Sequence, residues 1–473
     1  MLIGRELEQK KLLKAAASEY SEFVAVYGRR RVGKTFLIRE TFKYKFTFYH
    51  TGLSQKSTRE QLREFHKSLK AQGLEKTTLP TNWLDAFDQL ERLLDQSSDK
   101  KKLVFIDEMP WMDAPRSSFV SALEHFWNGW ASARKDIVLI ICGSATSWII
   151  NKVIKNHGGL HNRITHRIHL HAFNLYECEQ YAKALRLGMN RKQILEAYMI
   201  MGGIPFYWSK LDREYSLVQN INSLFFDADG DLRHEFDDLY ASLFSKPEQY
   251  VNVVTALATK KAGMTRKELV DDCGIIDNGQ LTVVLENLEY CGFIRKFNSI
   301  NTKKKNALFQ LIDNYTLFYF RFIAQNSIND NQYWTKVIKK PEYNAWCGLA
   351  FERTCLLHVE QIKKKLGISG VLTSVYSWTV RGTKGRKGAQ IDLLIDRDDD
   401  IINLCEMKYT NAPYAITSDY DEVLQNKLNR FIEETKTTKA VRLTMVTSNG
   451  LVRNYYSDEI LNQVVMDDLF EKV

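Results

Sequence analysis

The stretch Phe23-Val24-Ala25-Val26-Tyr27-Gly28-Arg29-Arg30-Arg31-Val32-Gly33-Lys34-Thr35 decides the fold of the first part of this chain. Its apolar half predicts a buried strand, and residues 28–35 match G-x-x-x-x-G-K-[ST], the phosphate-binding loop (P-loop) between a strand and a helix. Gly28 and Gly33 let the backbone curl so that its N–H groups face phosphates. We expect Lys34 to neutralise the β- and γ-phosphates of ATP and Thr35 to ligate Mg²⁺.

Polar residues follow two later apolar runs. The run 103–106 ends in Asp107 and Glu108. We expect Asp107 to hold the magnesium ion through a water and Glu108 to polarise the attacking water. The run 137–142 precedes Ser144, whose hydroxyl would either sense the γ-phosphate or simply belong to a turn.

Arginines and histidines crowd the segment 157–171. Arg163 or Arg167 would reach a phosphate in cis or from a neighbouring subunit of a homo-oligomer, or would lie on a solvated strand edge. The histidines at positions 157, 161, 166, 169 and 171 have no carboxylate or cysteine at metal-ligand spacing. A metal site is therefore not the favoured interpretation of this segment.

Length and composition indicate a folded protein of two to four domains. The 473 residues are 44% hydrophobic and 26% charged, and the net charge of +9 permits a polyanionic partner without requiring one. The seven scattered cysteines argue against a disulfide framework and a zinc module. The charged N-terminus does not resemble a signal peptide, and no apolar run is long enough to cross a membrane. We expect a cytoplasmic protein.

Changes in pattern predict a multidomain α/β fold in four parts: residues 1–174, 175–245, 246–330 and 331–473. Alternating strands and helices predict a parallel sheet in the first part, and helical spacing predicts a small lid in the second. Three helices before two strands predict a winged helix in the third part. A helix followed by several strands predicts a separate α/β domain in the fourth.

The winged helix has two stretches that would meet DNA. Asn278, Gln280 and Thr282 would be exposed on a recognition helix over residues 278–290, and the lysines at 303, 304 and 305 would form the wing tip. The alternative is an interdomain spacer whose lysines are only a solvated loop.

Asp392, Glu406 and Lys408 lie on two predicted strands of the last part. Glu406 and Lys408 are two residues apart and therefore face the same side. If the strands pair, Asp392 and Glu406 can share a Mg²⁺ ion while Lys408 activates a water that attacks a phosphodiester. The basic loop 381–387 suits a nucleic-acid backbone. The alternatives are a solvated surface and a fold that binds nucleic acid without cutting it.

The chain resembles the archaeal-type P-loop ATPases, a branch of the AAA+ and STAND class whose C-terminal domain is similar to PD-(D/E)xK nucleases. The resemblance rests on motifs that recur in order over nearly the whole chain. They are Ile3-Gly4-Arg5-Glu6, GRRRVGKT (28–35), FIDE (105–108), CGS (142–144), NRITHRI (162–168), GGIP (202–205), DNYTLFYFRF (313–322), FE (351–352), QID (390–392) and EMK (406–408). The His-rich run beside Arg163 departs from the pattern of the family.

The resemblance implies ATP and Mg²⁺ as cofactors, with Gly4 and Arg5 beside the adenine and Pro205 among the nucleotide-binding residues. It also implies that Glu352 is a further acidic metal ligand and that Lys427 contacts DNA. The leading hypothesis is an ATP-driven switch coupled to a nucleic-acid-binding, magnesium-dependent nuclease domain. Its rival is a non-catalytic regulator or scaffold whose ATP state controls assembly.

Overall fold

The computed structural model describes residues 2–155, 158–298, 300, 307–326, 330 and 332–473. The contacts divide the chain into an N-terminal unit, Met1–Ala172, and a C-terminal unit, Phe173–Val473. The division into four parts stays a prediction, because the last three parts fall within one unit. His157 and the wing lysines 303–305 lie outside the described residues.

The N-terminal unit is a parallel five-stranded sheet in the order β2-β3-β4-β1-β5. Its strands are β1 Glu22–Tyr27, β2 Phe48–Thr51, β3 Lys102–Asp107, β4 Ile137–Gly143 and β5 His166–His169. Its helices are α1 Glu6–Ala16, α2 Lys34–Thr41, α3 Thr58–Ala71, α4 Trp83–Gln96, α5 Phe119–His125 and α6 Thr146–Trp148. Because parallel strands end at the same edge of a sheet, β1, β3 and β4 bring the P-loop, Asp107 and Ser144 together.

The C-terminal unit begins with helices, as the sequence predicts for the lid. They are α7 Leu175–Ala184, α8 Arg191–Met201, α9 Pro205–Trp208, α10 Leu217–Phe225 and α11 Glu235–Leu243. Asn174, Asn190 and Ser216 each accept a backbone N–H at the start of α7, α8 and α10, respectively. These capping boxes fix where the three helices begin.

A winged-helix arrangement follows. It consists of α12 Pro247–Ala258, β6 Met264–Thr265, α13 Arg266–Asp271, α14 Gly279–Tyr290, β7 Ile294–Phe297 and β8 Leu308–Leu311. The three strands form an antiparallel sheet in the order β6-β8-β7. Thr265 and Asn278 cap α13 and α14 through their side chains and so fix where these helices begin.

The last part is a mixed five-stranded sheet in the order β13-β12-β11-β10-β9, with helices packed against it. Two short helices, α15 Asn314–Phe318 and α16 Tyr333–Val337, precede this part. Its helices are α17 Pro341–Leu357, α18 Val359–Lys365 and α19 Ser418–Thr435. Its strands are β9 Thr373–Val380, β10 Ala389–Arg397, β11 Ile401–Lys408, β12 Ala440–Thr447 and β13 Asn462–Val465. The predicted multidomain α/β fold class is confirmed. The helical part of this domain is divided into two helices, α17 and α18, which meet at His358.

A search of the described residues for a helix of the length and apolar character needed to span a membrane finds none.

His358 joins two parts of the C-terminal unit through its buried ring. Its Nδ1 donates to Thr354 O at 2.7 Å, and its Nε2 accepts from Leu175 N at 2.9 Å. Burial lowers the pKa of His358 from 6.5 to about 4. The folded chain therefore holds this imidazole neutral, since protonation would break the bond to Leu175.

We expect the stability that His358 contributes to be complete above pH 6.5 and to be lost as the pH falls toward about 4. Between these pH values the unfolded chain binds a proton that the folded chain does not bind. This lowers the free energy of unfolding by on the order of 3 kcal/mol. Urea unfolding at pH 7.5 and 5.0, compared between the parent and His358→Gln, measures the effect. An equal loss of stability in both proteins would contradict this assignment.

Candidate functional site

The P-loop packs tightly against the end of β5. Gly28 has φ +143°, and a Cβ built on it would lie 2.2 Å from the carbonyl oxygen of Leu170. Gly33 has φ +90° with nothing within 4 Å of an added Cβ, so it is required by its conformation alone. The two motif glycines are therefore needed for different physical reasons.

We expect Gly28→Ala to destabilise the N-terminal unit by at least about 2 kcal/mol more than Gly73→Ala, because only the first substitution adds a backbone clash. Gly73 is the matched control, since its φ is +111° and its surroundings are open. Urea unfolding measures the loss of stability, and binding of a fluorescent ATP analogue shows whether the P-loop still binds nucleotide. Equal destabilisation by the two substitutions would show that the approach to Leu170 is relaxed in solution.

Two oxygen donors suited to magnesium meet at the P-loop. Thr35 Oγ1 donates to Asp107 Oδ2 at 2.8 Å. Burial, followed by the neighbouring charge of Glu108, raises the pKa of Asp107. A hydroxyl and a buried carboxylate beside a second carboxylate suit a hard cation, which would relieve the repulsion between Asp107 and Glu108. Lys34 Nζ donates to Gly28 O and Arg29 O at 2.9 Å each, so the ammonium lies over the loop.

Glu108 is held by the end of β4. Its Oε2 accepts from Ser144 Oγ at 2.9 Å and from Ser144 N at 3.1 Å. Glu108 itself has φ +46°, an uncommon conformation for a residue with a side chain. Glu108, predicted to polarise the attacking water, and Ser144, predicted to sense the γ-phosphate, are thus in direct contact. Their catalytic roles stay a prediction.

The other residues predicted for the nucleotide site differ in environment. Within the P-loop, Arg29 and Val32 are buried, Arg31 is half-buried and Arg30 is exposed. Gly4 and Arg5 both have positive φ, and Arg5 Nη2 donates to His171 O at 2.6 Å. Arg163 is exposed in the turn before β5, and Arg167 is exposed on that strand. Pro205 begins α9 of the C-terminal unit.

The histidines of the segment 158–171 pack against rings and a carboxylate. His169 stacks on Tyr27 with a centroid distance of 4.8 Å, and His171 lies 3.9 Å from His169. His166 Nε2 is 3.6 Å from Glu22 Oε2. Within the described ranges, no group of three or more His, Cys, Asp or Glu side chains could hold a metal ion.

Asp392 lies on β10, and Glu406 and Lys408 lie on the neighbouring strand β11. The antiparallel pairing of the two strands runs to Leu393 and Cys405, one residue short of Asp392 and Glu406, and β10 has a register shift against β9 between Ile391 and Leu394. Glu406 and Lys408 are two residues apart on one strand and lie on the same face. Asp392 Oδ1 accepts from Gln390 Nε2 at 2.8 Å.

Glu406 is surrounded by donors from its own domain. Its Oε1 accepts from Tyr420 OH at 2.6 Å and lies 3.5 Å from Lys408 Nζ, while its Oε2 accepts from Lys427 Nζ at 2.6 Å. Lys427, predicted to contact DNA, pairs with this carboxylate in the structure, and its contact with DNA stays a prediction. Burial, followed by the charge of Glu406, raises the pKa of Tyr420.

Glu352 is paired with a lysine of the winged helix. Lys261 Nζ lies 2.7 Å from both carboxylate oxygens of Glu352. Burial, followed by the charge of Asp392, raises the pKa of Glu352. Glu352 is therefore close enough to Asp392 for their charges to interact, and both Glu352 and Glu406 are neutralised by lysines of the chain.

The sequence interpretation missed Lys261 and Tyr420. Lys261 is 91 residues from Glu352, so no local pattern links the two. Tyr420 was within reach of sequence reasoning, because it is seven residues before Lys427 on one helix and such residues lie on the same face.

The predicted nucleic-acid surfaces differ from each other in charge. Residues 381–388 form an exposed loop between β9 and β10, in which Thr383 and Arg386 exchange backbone hydrogen bonds of 3.0 Å. Its basic residues are Arg381, Lys384, Arg386 and Lys387. Asn278, Gln280 and Thr282 are exposed on the winged helix, as expected, but carry no positive charge.

The first part of the chain is similar to a known protein family. Residues 2–211 match a family described as an ATPase domain predominantly from Archaea. The uncharacterized protein MJECL04 of Methanocaldococcus jannaschii is 26% identical over 415 residues that cover 85% of each chain.

Two solved structures have a distant similarity to this chain. The Walker-type ATPase PABY2304 of Pyrococcus abyssi is 17% identical with a TM-score of 0.47, over 68% of this chain and 96% of that one. The ORC2 protein of Aeropyrum pernix is 14% identical with a TM-score of 0.39, over 72% and 96%.

Proposed function

We propose that the N-terminal unit binds ATP with Mg²⁺ at the P-loop and hydrolyses it. Residues 2–211, which include the P-loop, match a family described as an ATPase domain predominantly from Archaea. The proposal is carried by the hydrogen bond of 2.8 Å between Thr35 and Asp107, beside a Glu108 that Ser144 holds in place. These groups come from three different segments and would serve no common purpose in an ordinary strand-to-helix turn.

Each residue has a role that follows from its chemistry. Lys34 and the N–H groups of the loop bind the phosphates, and Thr35 and Asp107 hold the Mg²⁺. When bound, this ion neutralises phosphate charge. Glu108 orients the attacking water and accepts its proton, while Ser144 fixes the position of the carboxylate.

Phosphate release tests the proposal directly. Purified protein with ATP and Mg²⁺ should release phosphate, measured with a fluorescent phosphate reporter, and EDTA should stop the release. Failure to bind ATP in the presence of Mg²⁺ would overturn the proposal.

We further propose that ATP controls the C-terminal unit, which acts as a module for binding nucleic acid. A ligand can shift only an equilibrium between states for which its affinity differs. Hydrogen exchange of residues 173–473 should therefore differ between the ATP-bound Glu108→Gln protein and the ADP-bound parent. The same exchange pattern in both proteins would exclude control of the C-terminal unit by ATP. It would not contradict the proposed ATPase activity.

Magnesium-dependent nuclease activity is the second candidate for the C-terminal unit. It is favoured by Glu406 and Lys408, which lie two residues apart on β11, and by Asp392 on the neighbouring strand β10. The lysines on Glu406 and Glu352 weigh against it, because the carboxylates do not fit a metal ion while these pairs are intact. We therefore derive no catalytic step for this site. Digestion of single-stranded DNA, duplex DNA and RNA with ATP and Mg²⁺, by the parent and Lys408→Ala, decides between cutting and binding.

We expect the affinity for nucleic acid to fall as salt rises and to depend on the loop between β9 and β10. Replacing Arg381, Lys384 and Lys387 with glutamine should lower the slope of log K against log salt by up to about 2.7, or about 0.9 for each lost phosphate contact. Fluorescence anisotropy with labelled duplex DNA measures the slope.

The matched control replaces three exposed lysines of α1, namely Lys10, Lys11 and Lys14. This variant loses the same charge, so an equal change in slope would show that the effect comes from net charge rather than from the loop.

A further inference from the structure

The turn that carries Glu108 has an unusual backbone. Glu108 has φ +46° and ψ +40°, and the short helical turn Met109–Met112 begins directly after it. Trp111 N donates to Glu108 O at 3.1 Å, which closes the turn. A residue with a side chain keeps such a left-handed conformation only where the surrounding structure fixes it. The contacts of residues 108–112, the Glu108 turn, therefore decide where the Glu108 carboxylate lies.

Gly52 packs against the backbone of the Glu108 turn. It follows β2 directly, and its N donates to Asp107 O at 2.9 Å. A Cβ built on Gly52 would lie 2.5 Å from Glu108 O and 3.1 Å from Met112 Cγ. Because nonbonded atoms separate to about 3.5 Å, a methyl group at this position would displace the Glu108 carbonyl by roughly 1 Å. The turn can thus approach the end of β2 only because position 52 has no side chain.

Gly143 packs against the Glu108 turn from the side of β4. It is the last residue of that strand, and β3 lies between β4 and β2 in the sheet. A Cβ on Gly143 would lie 2.5 Å from Pro110 Cδ and 2.7 Å from Pro110 Cγ. The proline ring is rigid, so a methyl group here would move the turn itself. The next residue, Ser144, binds the Glu108 carboxylate, so the end of β4 fixes both the turn and its side chain.

A buried glutamine links the Glu108 turn to the segment after β2. Gln61 on α3 is 0% exposed. Its Nε2 donates to Leu53 O at 2.6 Å and to Trp111 O at 2.9 Å, and its Oε1 accepts from Leu53 N at 3.0 Å. These three bonds use both polar atoms of the amide. They join Leu53, which is next to Gly52, to the turn.

We propose that Gly52, Gly143 and Gln61 hold the Glu108 turn in the position that ATP hydrolysis requires. They are positioning residues, which act through the carboxylate of Glu108. The inference rests on the proposed ATPase activity and adds that these residues affect the hydrolytic step rather than ATP binding. Their contacts are with the Glu108 turn and the residues beside it, whereas the P-loop would bind the phosphates.

Alanine substitutions test this role without removing a polar group. Gly52→Ala and Gly143→Ala should lower kcat at least about tenfold, because a catalytic group displaced by about 1 Å acts poorly. The affinity for a fluorescent ATP analogue should change less than about twofold. Gly129→Ala is the matched control, since Gly129 is exposed and a Cβ on it would lie 3.7 Å from the His125 ring, an ordinary contact. Rates equal to that of Gly129→Ala would overturn the proposal, as would a loss of ATP binding as large as the loss of hydrolysis.

A double variant separates positioning from general damage to the fold. If Gly52 acts through Glu108, Gly52→Ala should slow single-turnover phosphate release at least about tenfold in the parent and less than about twofold in Glu108→Gln. A residue that only supports the fold would lower the rate by the same factor in both backgrounds. Equal factors would refute the assignment.

Gln61→Glu keeps the size of the side chain and so tests the proposal even if the alanine variants do not fold. The carboxylate can still accept from Leu53 N but cannot donate to Leu53 O or Trp111 O. We expect kcat to fall at least about fivefold with ATP binding retained. Gln89→Glu is the matched control, because Gln89 is also buried and its Nε2 donates to Thr78 O at 2.9 Å, in the loop before α4. Equal values of kcat in the two variants would contradict the proposal.

The parent protein distinguishes failure of the proposed ATPase activity from failure of this inference. A parent that does not hydrolyse ATP would overturn both. A parent that hydrolyses ATP, together with variants that match their controls, would overturn the positioning role alone.

Discussion

Lys34→Ala is expected to weaken ATP binding at least about a hundredfold. In the proposed nucleotide complex its ammonium would make charge-assisted hydrogen bonds with phosphates, and two such bonds contribute about 3 kcal/mol, which is about a hundredfold in affinity. Equilibrium binding of a fluorescent ATP analogue with Mg²⁺ measures the loss. Lys14→Ala on α1 is the matched control, because Lys14 is an exposed lysine of the same unit. Equal affinity in Lys34→Ala and the parent would remove the basis for a nucleotide site at the P-loop.

Glu108→Gln should slow ATP hydrolysis but, unlike Lys34→Ala, should leave ATP binding intact. The amide keeps the shape of the side chain but cannot accept the proton of the attacking water, so hydrolysis should slow at least about tenfold while binding persists. Single-turnover phosphate release separates the chemical step from binding. Loss of binding in Glu108→Gln would mean that the contact of this carboxylate with Ser144 is needed to shape the site.

The second large effect concerns the carboxylate at the centre of the C-terminal sheet. We expect Glu406→Ala to destabilise the C-terminal unit by about 3 kcal/mol, because Lys427 and Tyr420 lose their common acceptor at a largely buried position. Only 12% of the Glu406 side chain and 17% of the Lys427 side chain are exposed. Urea unfolding measures the change. The matched control is Glu422→Ala, because Glu422 is exposed and lies on α19, the helix that carries Tyr420 and Lys427.

A double substitution identifies the cause of this destabilisation. Glu406→Ala with Lys427→Met removes both charges, so the double variant should be more stable than Glu406→Ala alone. If the double variant is less stable than Glu406→Ala, the pair does not account for the effect.

The same result affects how nuclease assays are interpreted. A variant of Glu406 that lacks activity could simply be unfolded in this unit. Lys408 is the better test, since its side chain is 31% exposed and its ammonium lies 4.4 Å from the centre of the Tyr420 ring, beside a carboxylate that retains Lys427. Its substitution should leave the fold intact and change only a catalytic or phosphate-binding role.

Predictions from local pattern agreed well with the structure where a single segment determines the outcome. The helix predicted over residues 278–290 begins at its capping residue Asn278, and the P-loop glycines have the positive φ that the motif requires. The division of the helix near residue 358 was not predicted. At this point His358 accepts a hydrogen bond from Leu175, which is 183 residues away and so outside any local pattern.

The sequence by itself determined the P-loop, the strands that end in Asp107 and Ser144, and the mixed strands around Asp392 and Glu406. These features depend on backbone conformation and on periodicity, and both act over a few residues. Tertiary structure alone decided which cation each carboxylate meets: Lys261 for Glu352 and Lys427 for Glu406. Charge pairing depends on distance in space rather than in sequence, so it is settled only when separate elements pack together.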